Sequence, residues 1–113
     1  MKKGYKAEYE VKKKLIKLYL PKNVFKVAIG GATDFFVLAP KKRKILKLIE
    51  VKTTKKNCWY PGKHDLKQFK ILNKIAKEHK IPVEYWIKIN GKWKIFKLKE
   101  VKKFFKHGKR KSP

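Results

Sequence analysis

At 113 residues the chain is sized for one domain with a single core, and at 42% hydrophobic and 13% aromatic residues it is too apolar for a disordered basic tail. Its 34 Lys and Arg against eight Asp and Glu give a formal net charge of +26, a field that calls for a polyanionic partner. A single cysteine, Cys58, excludes an intrachain disulfide and a thiolate zinc cluster.

The first predicted element is a helix over 3–19, in which Ala7, Val11, Leu15 and Leu18 recur at helical spacing until Pro21 ends it. Glu8 falls about 60° from the centre of that apolar stripe, at 100° per residue, so it can lean over a neighbouring sheet, whereas Glu10 points further away. An ordinary i,i+4 ion pair with Lys12 is an equally good reading of Glu8. Three strands are expected next, over 24–29, 33–38 and 45–53, separated by Gly30-Gly31 and by Ala39-Pro40-Lys41-Lys42. A loop with Trp59-Tyr60-Pro61-Gly62 leads to a second helix over 64–79, with Leu66, Phe69, Leu72 and Ala76 on one stripe and Pro82 closing it. Two more strands, 83–89 and 93–98, flank the hairpin signal Asn90-Gly91-Lys92. A short amphipathic turn around Val101, Phe104 and Phe105 then leads into a basic tail over 106–113, expected to be disordered and to leave 1–105 as the domain.

The chemistry concentrates in two consecutive apolar segments. Asp34 opens one, and Glu50 and Lys52 close the other, Leu46 and Leu48 lying on their own face and Ile49 and Val51 on the opposite one. Two carboxylates brought side by side by a strand pair repel each other unless a cation sits between them, and a hard cation such as Mg2+ takes oxygen ligands. The Lys52 ammonium, two positions on from Glu50, can then reach a phosphate under attack, so the pattern points to metal-assisted phosphodiester hydrolysis. Spacing alone is weak here, because five of the eight acids have a lysine two places on: Glu10, Glu50, Asp65, Glu78 and Glu100. Only Glu50 does so at the end of a strand-forming apolar run. His64, His79 and His107 show no metal-ligand spacing. With Arg43 and Arg110 the only arginines, the surface suits phosphate backbones more than bidentate reading of guanine.

With these residues in place the chain resembles the archaeal-type Holliday junction resolvases, a branch of the PD-(D/E)xK nuclease superfamily, from about Lys3 to Leu98. Lys3-Gly4-Tyr5-Lys6-Ala7-Glu8 is similar to the family's basic-Gly-x-x-x-Glu opening and selects Glu8 over Glu10 as the helix-borne acid. Asp34 stands for the metal-binding aspartate, Leu48-Ile49-Glu50-Val51-Lys52-Thr53 for the E-x-K strand, and Gln68 for the glutamine the family carries close to its active site, an ordinary solvent-facing role being the other reading of Gln68. The chain departs where Thr33 replaces the proline before the aspartate, and where Ile29-Gly30-Gly31 lacks the family's loop serine; either Thr33 substitutes for that serine or its contribution is missing.

The resemblance implies an α/β, restriction-endonuclease-like mixed sheet of about five strands flanked by two helices. It also implies a homodimeric, Mg2+-dependent endonuclease of DNA recombination and repair, with Mn2+ able to substitute, that binds branched DNA and nicks two opposed strands of a four-way junction. Asp34, Glu50 and the Val51 carbonyl would ligate the metal, Glu8 would hold it directly or through water, and Lys52 would offset charge on the phosphate. Exposed aromatics of the Trp59-Tyr60 loop or of the Trp93/Phe96 strand are candidates for the dimer contact. No N-terminal signal peptide and no long apolar run appear, so a cytoplasmic, nucleoid-associated protein is expected, with no membrane contact and no small-molecule cofactor. Two other readings stay open: a nicking, restriction or repair nuclease of the same superfamily, and a non-enzymatic basic nucleic-acid-binding protein in which Glu50 and Lys52 form a plain ion pair.

Overall fold

The computed structural model describes residues 3–27, 34–39 and 45–111, with side chains from residue 6 to residue 105. The elements run α1 (Lys3–Tyr19), a 3-10 turn (Pro21–Asn23), β1 (Val24–Lys26), β2 (Phe35–Leu38), β3 (Ile45–Thr54), α2 (Lys63–His79), β4 (Val83–Ile89), β5 (Lys92–Lys97) and α3 (Leu98–Lys111). The five strands form one mixed sheet in the order β1-β2-β3-β4-β5. All neighbours are antiparallel except β3 and β4, which pair in parallel from Leu48↔Val83 to Thr54↔Ile89. A parallel pair needs a crossover connection, and α2 is that connection.

Alternation along β3 sorts the core into two layers. Ile49 turns to one face and is sealed with Val11 and Leu15 of α1, Phe35 and Val37 of β2, and Trp86 of β4. Leu48 turns to the other face, joining Tyr85 and Ile87 of β4, Phe69 and Leu72 of α2, and Val101 of α3. Glu50 and Lys52 share the parity of Leu48 and therefore lie under α2. At the far end of β4, Asn90 (φ 47) and Gly91 (φ 81) are both left-handed, the two-residue hairpin turn that Asn-Gly favours. Lys80 (φ 53) ends α2 in the same left-handed region before Pro82.

Several expectations change. The apolar turn near the C-terminus is a 14-residue third helix, and residues 106–111, expected as disordered tail, continue it. Phe104 and Phe105 stack edge-on against Trp59 at centroid distances of 5.5 and 6.2 Å, and Glu100 caps the new helix by accepting the Lys97 N–H at 2.9 Å. Trp59 is consequently 6% exposed and belongs to the core, which removes it as a contact for a second subunit, while Tyr60 beside it is exposed. Leu18 is 65% exposed, because the α1 stripe drifts after Leu15 and Tyr19 takes the packed position instead. Strand β1 stops at Lys26, short of 29. Thr33, Gly30-Gly31 and the Lys41-Lys42-Arg43-Lys44 run lie outside the described residues.

Candidate active site

The antiparallel register of β2 and β3, Phe35↔Ile49, carries one step further to place Asp34 opposite Glu50. Residues so opposed have Cβ atoms only about 4.5–5.5 Å apart, a spacing at which like charges destabilise a sheet. Asp34 is fixed there twice: its N–H donates to the Ile49 carbonyl at 3.1 Å, and its Oδ2 accepts the Val51 N–H at 2.7 Å. Glu8 reaches over from α1. Its pKa is raised, first by burial and then by the charge of the neighbouring Asp34 carboxylate. The Lys26 ammonium, 3.7 Å away, partly offsets the repulsion. Glu8 thus takes the leaning position expected of it, and its ion pair runs to β1 rather than along α1.

Glu50 is the least comfortable charge in the molecule. It is 3% exposed, and burial, followed by repulsion from Asp34, pushes its pKa up to about 8 against the pull of Lys52 and Gln68. Its Oε2 lies 3.3 Å from Lys52 Nζ, while its Oε1 has no hydrogen-bond partner. Gln68 approaches from α2 with its own Oε1 buried and unpartnered, and the Tyr85 hydroxyl, on the β4 residue paired with Glu50, is a third such atom. Only four side-chain atoms among the described residues are in this condition; one belongs to the Glu50 carboxylate and two more, on Gln68 and Tyr85, are on residues beside it. Burial, then the charges of Glu50 and Asp65, raise the Tyr85 pKa, so its hydroxyl stays protonated.

Asp65, dismissed in the sequence as one of the chance acid–lysine pairs, is part of the cluster. Its Oδ1 lies 3.0 Å from Lys52 Nζ and its Oδ2 accepts the Gly62 N–H at 2.8 Å, the N3 half of a capping box on the first turn of α2. Burial acts to raise its pKa, but the Gly62 N–H and Lys52 outweigh it and hold the carboxyl low. Burial acts to lower the pKa of Lys52, and the Glu50 and Asp65 carboxylates outweigh it in turn, so the lysine is charged. Glu50 is thereby drawn both toward a proton by Asp34 and toward a charge by Lys52. The upward shift prevails, because Lys52 has Asp65 as a second carboxylate and, among the described residues, Glu50 has no second cation. The sequence did hold a signal for Asp65: it follows Pro61-Gly62 at the N3 capping position and precedes Gln68 by three residues, one helix face.

Four of the chain's eight acids therefore gather at one end of the sheet, in a molecule of net charge +26. Three of the others have evident structural work, Glu10 pairing with Lys88 at 2.8 Å, Glu84 with Lys47 at 3.0 Å, and Glu100 capping α3. A separate cavity of about 360 Å3 lies on the α1 face, lined by Lys6, Glu10, Thr53, Lys55 and Lys88 among others and by none of Glu8, Asp34, Glu50 or Asp65.

Whether these residues suit a divalent cation can be judged from their own electrostatics. A buried Glu50 with raised proton affinity and an unpartnered oxygen, set opposite a second carboxylate, is an arrangement that a positive charge would relieve. Among the described residues no three His, Cys, Asp or Glu side chains form a ready cage for a metal ion.

No family model matches the chain, and no curated protein sequence matches it. Among solved structures, it is similar to Hjc, a Holliday junction resolvase from the archaeal hyperthermophile Archaeoglobus fulgidus, with a TM-score of 0.63 and 21% sequence identity over 87% of this chain and 75% of that one. The third helix, absent from the expected architecture, does not disturb the likeness. The mixed five-stranded α/β fold of this chain is the fold of that archaeal resolvase.

Proposed function

We propose that the protein is a Mg2+-dependent, structure-specific DNA endonuclease that resolves four-way junctions by paired nicks, acting as a homodimer on recombination and repair intermediates at the nucleoid. The observation that carries this reading is the Asp34–Glu50 pair: opposed across two strands, with Glu50 buried, short of positive charge, and flanked by a charged lysine. The resolvase fold and the net charge of +26 support a branched nucleic acid as the partner.

Asp34 and Glu50 would hold the cation with the Val51 carbonyl, and Glu8 would hold it directly or through water; Mn2+ would serve in place of Mg2+. When bound, the metal supplies Lewis-acid polarisation of the phosphate and a lowered water pKa. Asp34, pinned by the Val51 N–H and the Ile49 carbonyl, fixes one side of the site without a mobile side chain. Lys52 places an ammonium beside Glu50, where it can orient the attacking water and offset the charge that builds on the phosphorane. Gln68 and Tyr85 close the α2 side and keep bulk water from the carboxylates. Exposed Lys6 and Lys55, lining the α1-face cavity, would track a backbone running past the site.

The test is a labelled four-way junction compared with a linear duplex of the same arms, each with Mg2+, Mn2+ or EDTA. Cleavage of the junction at paired, opposed positions with either metal, none with EDTA, and a clear preference over duplex is expected. Equal cutting of both substrates would point to another nuclease of this fold. Tight binding with no cleavage of either, under any metal, would leave a non-enzymatic basic binding protein.

A further inference from the structure

A lysine ends in a flexible four-carbon stem, so an ammonium that must meet one phosphate needs an anchor. Glu50 cannot be that anchor throughout the reaction. If a cation occupies the carboxylate pair, it competes with Lys52 for the same Glu50 oxygens. The second contact, Lys52 Nζ to Asp65 Oδ1 at 3.0 Å, is shorter than the 3.3 Å contact to Glu50 and involves no residue of the carboxylate pair.

The geometry points to Asp65 as the positioning residue for Lys52, an assignment that rests on the nuclease reading above and names a residue outside its motif. Each Asp65 oxygen has one task. Oδ2 is tied to the Gly62 N–H at 2.8 Å, which fixes the carboxyl on the first turn of a 17-residue helix, and Oδ1 then presents a fixed anion to the ammonium. Phe69 and Leu72, buried on the same helix, lock α2 to the sheet, so the anchor moves with the core and not with a loop. Lys52 is thereby held from two directions in a site where it is only 17% exposed, and it keeps one partner when Glu50 turns to a metal.

Asp65→Asn separates this role from helix capping. The amide oxygen can still accept the Gly62 N–H, but its NH2 then faces the ammonium with the wrong polarity. In the wild-type background Asp65→Asn should lower kcat on the junction by about tenfold or more while KM and junction affinity stay within about twofold. Asp65→Glu, which restores the charge, should recover kcat to within about threefold. On a Lys52→Ala background Asp65→Asn should add less than about twofold, because the lysine it positions is gone.

A second readout needs no turnover. Amine-selective acylation of the DNA-free, metal-free protein, resolved by peptide mass spectrometry, should modify Lys52 about threefold faster in Asp65→Asn than in wild type, with melting temperatures alike. Equal labelling rates, or a kcat loss that persists undiminished without Lys52, overturn the assignment. Should wild-type protein cut nothing, the nuclease reading fails, and the labelling comparison still decides whether Asp65 holds Lys52.

Discussion

Replacing Glu50 by glutamine should make the metal-free protein more stable at pH 8 and leave it unchanged at pH 4.5. The folded-state pKa of Glu50 is pushed from 4.5 up to about 8, so the folded chain binds this proton more tightly than the unfolded chain does. Its contribution is fully present below pH 4.5 and is lost as pH rises through about 8, since over that range the folded state holds more protons than the unfolded one. A shift from 4.5 to about 8 at 1.36 kcal/mol per pH unit bounds the loss at about 5 kcal/mol. Glu50 is electrostatically coupled to the charges beside it, so a swing of roughly 2 to 5 kcal/mol is expected. Glutamine matches the protonated acid in shape and never ionises.

The assay is thermal melting of wild type and Glu50→Gln in EDTA from pH 4.5 to 8.5. The difference between the two curves is the quantity to follow, because self-repulsion of the basic chain changes with pH in both and cancels. At 113 residues a difference of about 2 kcal/mol corresponds to a melting shift of about 10 °C. Added Mg2+ should then raise the wild-type melting temperature at pH 8 and leave the variant nearly unmoved, as a ligand stabilises only the state that binds it. Parallel pH curves, with no growing advantage for glutamine, would refute the claim that Glu50 is a strained charge awaiting a cation.

Lys52→Ala should slow junction cleavage with little loss of affinity, as measured by single-turnover rates and gel shift, because one lysine among many adds little to binding; a wild-type rate would reduce Lys52 to an ion-pair partner. Junction affinity should fall with salt at a log-log slope of about −0.9 per phosphate contacted, so roughly six contacts predict a slope near −5, while preference for junction over duplex survives; equal affinity for both across a competition series would refute the resolvase reading. Trp59→Ala should cost about 3 to 5 kcal/mol in urea unfolding, since Trp59 joins Tyr85 to Phe104 and Phe105; a loss under about 1 kcal/mol would mean that α3 is not part of the core.

The parts of the fold that could be read in the sequence are those whose signal is local. Asn90-Gly91 dictates its own turn, and the apolar alternation around Ile49 and Glu50 places opposite side chains on opposite faces whatever the neighbours are. Asp34 and Glu50 were legible because acids are scarce and both sit on strand-forming runs. What escaped is settled by tertiary contact. The third helix has only Leu98, Val101, Phe104 and Phe105 as an apolar stripe among lysines, and it is fixed by Trp59, which lies in a Pro-Gly loop that reads as surface. Leu18 and Tyr19 are equally apolar neighbours, and only the angle of α1 on the sheet chooses between them. Asp65 was hidden for a different reason: its partner lies 13 positions earlier, on a strand brought to it by the crossover, and no spacing rule spans that distance.

Everything proposed for the chemistry requires that the opposed carboxylates, Asp34 and Glu50, form a divalent-cation site. Calorimetric titration of Mg2+ into DNA-free wild type and into Asp34→Asn, both shown to be folded by circular dichroism, tests it without reference to cleavage. Saturable binding in the wild type that is lost in Asp34→Asn is the predicted result. Indistinguishable heats from the two proteins would contradict the account.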